Sequence, residues 1–263
     1  MKALILAFQF LTRYPLGQDD LVVEEADLGR STRYFPLVGL VAGLDLTVMR
    51  WVLGWAGVLT AWPLAAAALL LAYWAWSCDS LHMDGWMDTL DGLASRREGE
   101  ALLGVMHDSR VGAFGVLGGG LLLLLKFAWL ASLPPRLWWA LPLPLIFSRL
   151  LASLECHSRP YAGKPGSLSG AFINFCEPAD GHSAVAVAFL GYGLLCGAAL
   201  AAGLADSAAC LKALAVCLAG LGVGALFLRV PKRRLAGISG DLIGYSLQIC
   251  EIAVCYGLLF IRL

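Results

Sequence analysis

The chain has 263 residues, of which 59% are hydrophobic and only 14% charged, with a mean hydropathy of +0.76 and a net charge of zero. That much apolar mass exceeds what a water-soluble domain of this size needs to bury, so much of it is expected to face lipid. The charge balance leaves no footprint for nucleic acid, and eight cysteines without a CxxC pair or zinc spacing are expected to be small structural hydrophobes.

The opening MKALILAFQFLT is apolar but short, and TRYPLG follows where a cleavage site would need small residues. An interfacial or re-entrant segment packed on a bundle is expected there. Seven later stretches have the roughly 20 apolar residues a membrane helix needs: 35–58, 60–80, 111–132, 137–155, 183–205, 208–229 and 242–262. Trp62-Pro63, Pro134-Pro135 and Asp206-Ser207 punctuate them. The fold class is therefore all-α, a polytopic integral membrane helical bundle of about seven transmembrane helices forming a single domain over 1–263. Frequent Gly and Ala within the stretches suit close helix packing in lipid.

The basic residues test that count. Lys2, Arg13, Arg30 and Arg33 precede the first stretch. Arg96, Arg97 and Arg110 follow the second, Arg149, Arg159 and Lys164 the fourth, and Arg229, Lys232, Arg233 and Arg234 the sixth. The alternate connections hold Arg50, Arg136 and Lys212, and the C-terminus Arg262. Rich and poor sides alternate, which places the N-terminus and the three long loops in the cytoplasm of a bacterial-type inner membrane, with the C-terminus outside.

After the second stretch comes HMDGWMDTLDGL. Asp84, Asp88 and Asp91 stand at i, i+4 and i+7, within a narrow arc of one helix face. Carboxylates gathered so closely repel one another unless a cation offsets them. Mg²⁺ suits the pattern, because it favours a few carboxylates together with waters and substrate phosphate oxygens. Gly85 and Gly92 are expected to leave room for a large substrate, and His82 to point toward the opposite face. In VMHDSRVGAFG, Asp108 is a candidate for completing the metal shell and Arg110 for clamping a phosphate oxygen. His107 shows no partner. Arg96 and Arg97 are read as orientation charges.

Ionisable groups inside membrane spans are functional candidates by default. Asp241 opens the last stretch and Gln248, seven residues on, shares its face, so both are expected to look toward the acidic cluster. Glu251 falls on another side of that helix, while Asp45 and Arg149 lie near enough to span ends to pair locally. The loop YAGKPGSLSGAF, with Lys164, is a weaker candidate for covering phosphates.

Four segments in order carry a family resemblance: FQFLTRYPLG, STRYFPLVGLVAG, LHMDGWMDTLDGLASRREGEALLGVMHDSRVGAFGVLG and GISGDLIGYSLQICE. Together they resemble the cobalamin synthase family, the adenosylcobinamide-GDP ribazoletransferases, over nearly the whole chain. The sequence departs from the family where Asp79 and Ser80 replace a Gly pair and where Met87 replaces a small residue. The resemblance implies that the hydroxyl of α-ribazole, or of its 5′-phosphate, attacks the cobinamide-attached phosphorus of adenosylcobinamide-GDP. GMP leaves, and adenosylcobalamin or its 5′-phosphate forms with Mg²⁺ as cofactor. Asp84, Asp88 and Asp91 are then the metal ligands, Asp108 and Arg110 the catalytic pair, and Arg110, Lys164, Asp241 and Gln248 the substrate contacts. Assembly as a homo-oligomer is left open by the sequence. Two other readings remain at this point: a CDP-alcohol phosphotransferase, whose longer acidic spacing and Ala-Arg are missing, and a transporter with an acidic ion site, which would place its carboxylates near midspan.

Overall fold

The computed structural model describes residues 1–17, 22–158 and 160–261, so the orientation charges Arg159 and Arg262 lie outside the described residues. Helix α1 (Lys2–Leu11) is too short to cross a bilayer and lies against α2 (Glu25–Ser31) and α3 (Phe35–Trp55), burying Leu6, Ala7, Phe8 and Leu11. It is the packed N-terminal segment expected from its length. Gly57, in the left-handed region at φ 75°, turns the chain after α3 into the single turn α4 (Val58–Ala61), and Pro63 opens α5 (Pro63–Trp74).

The helix begun by α5 does not stop at residue 80. A π-helical turn over Ala75–Asp79 carries it into α6 (Ser80–Ala94), making one apolar rod over Pro63–Ala94. At 1.5 Å per residue, Asp84 lies about 30 Å from Pro63, roughly the thickness of the hydrocarbon core. The acidic residues thus ride on a helical extension beyond a membrane-spanning length of helix rather than in a loop. Helix α7 (Gly99–Met106) follows, then α8 (Ala113–Ser132), and a 3₁₀ turn over Pro135–Ala140 leads into α9 (Leu143–Glu155). A short α10 (Leu168–Phe175) precedes α11 (Pro178–Ala201), α12 (Ser207–Leu235) and α13 (Gly240–Leu258). The last two start at side-chain caps: Asp206 accepts from the Ala209 amide and Ser239 from the Leu242 amide.

Among the described residues six helical rods are long and apolar enough to cross a membrane: Glu25–Trp55, Pro63–Ala94, Ala113–Ser132, Pro135–Glu155, Pro178–Ala201 and Ser207–Leu235. The seventh expected stretch is α13, which lies where the sequence puts it but carries Asp241, Gln248 and Glu251 and is not among the six. Its surroundings explain that polarity, because α13 packs on α6, α9 and α12, which bury Gln248 and Glu251 inside the bundle and leave Asp241 partly exposed. Helix α9 is buried along almost its whole length, and its Phe147 shares the core with Trp74 and Trp129. All eight cysteines are buried there or nearby.

Candidate active site

Two glycines set the position of the site. A Cβ on Gly85 would fall 2.8 Å from the Asp241 Cα, and one on Gly244 would fall 3.1 Å from the His82 carbonyl. Helices α6 and α13 therefore cross backbone to backbone, as small residues allow in membranes. Gly92 likewise receives Leu102 and Met106 of α7. These glycines serve helix contact, which corrects the expectation that they open space for substrate. The crossing brings Asp241 to the acidic face of α6, where Asp84, Asp241 and Asp91 all lie close enough to act electrostatically on half-buried Asp88.

The three aspartates of α6 are not equivalent. Asp84 is exposed and sits in the wall of two adjoining cavities of about 640 and about 260 Å³. The two share Phe10, Leu11, Leu81, Asp84, Leu168 and Phe172, so Asp84 is the acidic group common to both. The larger cavity adds Gln9, Thr12, Arg13, Ser77 and Ser80; the smaller adds Phe35, His82, Ser169 and Asp241. Asp91 accepts hydrogen bonds on both oxygens, from the Gly112 amide at 2.7 Å and the Gly115 amide at 2.8 Å. It thereby caps α8 with a negative charge, where the helix dipole favours one, and each oxygen keeps a second lone pair. A Cβ on Gly112 or Gly115 would run into that carboxylate.

The Asp91 cap pins the segment 107–112 beside the cluster. There His107 Nε2 comes within 3.7 Å of Asp241 Oδ2, a neighbour the sequence did not reveal. Burial, reinforced by the Lys164 ammonium, holds the imidazole below its ordinary pKa, so at neutral pH it is uncharged. Asp108 and Arg110 pair with each other: Arg110 Nη2 donates to Asp108 Oδ2 at 3.1 Å, and the Arg110 side chain is 87% exposed. Those hydrogen bonds hold the Asp108 carboxyl below its usual range. Lys164 is exposed on the loop 160–167, which is tied to the segment before α13 by backbone hydrogen bonds from the Ala162 amide to the Ile238 carbonyl and from the Ile238 amide to the Pro160 carbonyl. Asp88, Asp91, Asp108, Arg110 and Lys164 line neither cavity.

Gln248 is elsewhere. It is fully buried and its amide nitrogen donates to Asp79 Oδ1 at 2.6 Å. It shares the Asp241 face as expected, but seven residues place it about 10 Å deeper. At that depth Lys126 Nζ donates to Asp79 Oδ2 at 2.5 Å and to Glu251 Oε2 at 2.6 Å, while Arg149 pairs with the other oxygen of Glu251. Ser148 and the Cys78 carbonyl complete this network. Arg149 thus turns inward rather than toward the membrane surface. The sequence reading missed Lys126 although a lysine inside GGGLLLLLKFAWL is itself the signal. Asp45 accepts from Tyr14 at 2.7 Å and from Tyr73, which anchors the Thr12-Arg13-Tyr14 segment beside the larger cavity.

Among the described residues, no three His, Cys, Asp or Glu side chains already converge as a metal site. What α6 offers a cation is oxygen donors of one sign: none of Asp84, Asp88 and Asp91 is in an ion pair with Lys, Arg or His among the described residues. That donor set fits an ion such as Mg²⁺, whose shell is finished by water and substrate oxygens.

Comparison with known proteins gives a consistent result. Residues 3–259 match the cobalamin-5-phosphate synthase family. The chain is similar to adenosylcobinamide-GDP ribazoletransferases from Desulfitobacterium hafniense (36% identity over 98% of this chain and 96% of the relative) and Geotalea daltonii (36% over 96% and 94%). It is similar also to that from Rhizobium johnstonii (32% over 94% and 92%). No solved structure matches.

Proposed function

The chain belongs to the cobalamin-5-phosphate synthase family, and from that premise we propose how its cleft performs the transfer named in its curated relatives. The substrates are adenosylcobinamide-GDP and α-ribazole or α-ribazole 5′-phosphate. The ribazole hydroxyl attacks the cobinamide-attached phosphorus, the bond from that phosphorus to the bridging oxygen breaks, and GMP departs with that oxygen. The observation that carries this reading is Asp84 at the junction of the two cavities. A reaction that joins two molecules at one phosphorus needs two approaches meeting at one charged point.

The smaller cavity suits the flat base of α-ribazole, since Phe10, Phe35 and Phe172 lie in mutual ring contact along its wall. The larger one, with the polar side chains of Gln9, Arg13 and Ser80, suits the diphosphate arm of the corrinoid. Mg²⁺ held by Asp84 and Asp88, with Asp91 behind them, would neutralise charge on the diphosphate. The Arg110 fork exchanges Asp108 for a phosphate oxygen on the GMP side, an exchange open to an exposed pair. Released from Arg110, the Asp108 carboxylate regains basicity and can receive the proton of the attacking hydroxyl. Lys164 adds positive charge at the rim, and Asp241, backed by neutral His107, orients a ribose hydroxyl.

The site belongs at the cytoplasmic face of the inner membrane in this reading. Arg96, Arg97, Arg110 and Lys164 lie in the connections at that end, and Arg234 of α12 donates to the Leu93 and Arg97 carbonyls there. A transporter reading is less apt, because the midspan charges form a closed and balanced network rather than an open path. Purified protein in detergent, given adenosylcobinamide-GDP, α-ribazole and Mg²⁺, should release GMP in step with new corrinoid. A folded preparation that yields no GMP with either ribazole substrate would remove the proposal.

A further inference from the structure

At the other end of the bundle, a separate cavity of about 600 Å³ lies between α3, α5, α8 and the turn after α8. Its walls are Trp51, Trp55, Leu59, Pro63, Ala67, Leu130, Leu133 and Trp138, with the hydroxyl of Thr60. Arg50 is its one charged lining residue. Counting along α3 from Phe35 in the acidic cleft, Arg50 is about 22 Å away, so the two sites are at opposite ends of the membrane-crossing part.

Arg50 is 5% exposed, and among the described residues no carboxylate pairs with it. Its Nη2 donates to the Leu133 carbonyl at 3.2 Å and its guanidinium stacks 4.3 Å from the centre of the Trp138 ring. Its Nε has no partner, and neither has the indole Nε1 of Trp138 on the same wall. A buried cation is normally matched by an anion, and buried donors by acceptors. Here a positive charge and two unused N–H groups lie buried in the wall of one cavity without either.

The surroundings define the missing anion. Trp51 and Trp55 are 62% and 83% exposed at the lip, and Trp62 lies in the following connection at 66%, the girdle expected at a lipid–water interface. The rest of the wall is aliphatic and opens between helices that face lipid. We propose that this cavity binds a phospholipid, its phosphodiester on Arg50 and Trp138, its glycerol backbone at the Trp51–Trp55 lip and an acyl chain along Ala67 and Leu130. With no carboxylate in the lining, an ammonium headgroup finds no counter-charge, so phosphatidylglycerol is the matching class.

The test is native mass spectrometry of delipidated protein in detergent, titrated with phosphatidylglycerol, with phosphatidylcholine and with inorganic phosphate. Wild type should retain one phosphatidylglycerol at least about tenfold more tightly than Arg50→Gln, which corresponds to loss of one charge-assisted contact. Arg50→Lys, which keeps the charge but not the fork, should fall between them, and thermal melting of both variants in detergent checks the fold. Phosphatidylcholine should give no Arg50-dependent adduct, and inorganic phosphate should not displace the lipid. Equal phosphatidylglycerol retention by wild type and folded Arg50→Gln or Arg50→Lys would overturn the proposal. So would an Arg50-dependent site filled equally well by phosphatidylcholine or by inorganic phosphate.

Discussion

Replacing Lys126 with methionine keeps the length of the side chain and removes only its ammonium. Lys126 is fully buried, 2.5 Å from Asp79 Oδ2 and 2.6 Å from Glu251 Oε2, and two cations there balance two carboxylates. Without it Glu251 keeps Arg149, but Asp79 keeps only the Gln248 amide, so one buried carboxylate becomes uncompensated. Breaking one partner of a buried ion pair costs about 3–5 kcal/mol, and an unbalanced aspartate at the centre of a membrane helix about 3 kcal/mol. A loss of about 3 kcal/mol is therefore expected for Lys126→Met, read as unfolding free energy from denaturant titration in mixed micelles. The double variant Asp79→Asn/Lys126→Met removes one charge of each sign and should recover to within about 1 kcal/mol of the parent. If Lys126→Met alone stays within about 1 kcal/mol of wild type, or the second substitution rescues nothing, the network is not balanced as described.

Nearer the cleft, Asp91→Asn keeps an acceptor but loses the charge facing the α8 N-terminus. It should cost about 1 kcal/mol of stability as well as activity, both read on one preparation; unchanged stability would contradict the capping role. Gly115→Ala alters no charge, yet its methyl would meet the Asp91 carboxylate and lie 3.1 Å from the Met87 carbonyl. It should cost about 1–3 kcal/mol and lower GMP release, and neutral behaviour in both assays would mean the α6–α8 contact is looser than drawn. Arg110→Ala, at an exposed position, should leave melting unchanged while lowering kcat/KM for adenosylcobinamide-GDP about tenfold; a wild-type value would exclude the phosphate clamp.

Hydropathy made the helices legible because lipid imposes length: 111–132 became Ala113–Ser132, and 208–229 became the longer Ser207–Leu235. It misplaced the end of the second stretch, since the aspartates lower hydropathy at residue 84 while the backbone continues helical to Ala94. The i, i+4, i+7 spacing did foretell a shared face for Asp84, Asp88 and Asp91. It was silent on Asp91 being held by amides 21 and 24 residues away, which is a tertiary event. Asp241 and Gln248 were correctly set on one face, but a face carries no depth. The crossing at Gly85 and Gly244 decides that Asp241 meets the cluster and Gln248 the Asp79 network. Lys126 was readable and went unread; Arg50 looked like an orientation charge because its burial depends on Trp138, which is far away in sequence.

The rate of GMP release by Asp84→Asn, set beside Asp88→Asn and wild type in matched, folded detergent preparations, bears most directly on the acidic face of α6. Each amide retains the shape of the side chain but not its charge, and each should release GMP at least about 100-fold more slowly than wild type. Rates within about threefold of wild type for both variants would mean that the transfer takes place somewhere other than the junction of the two cavities.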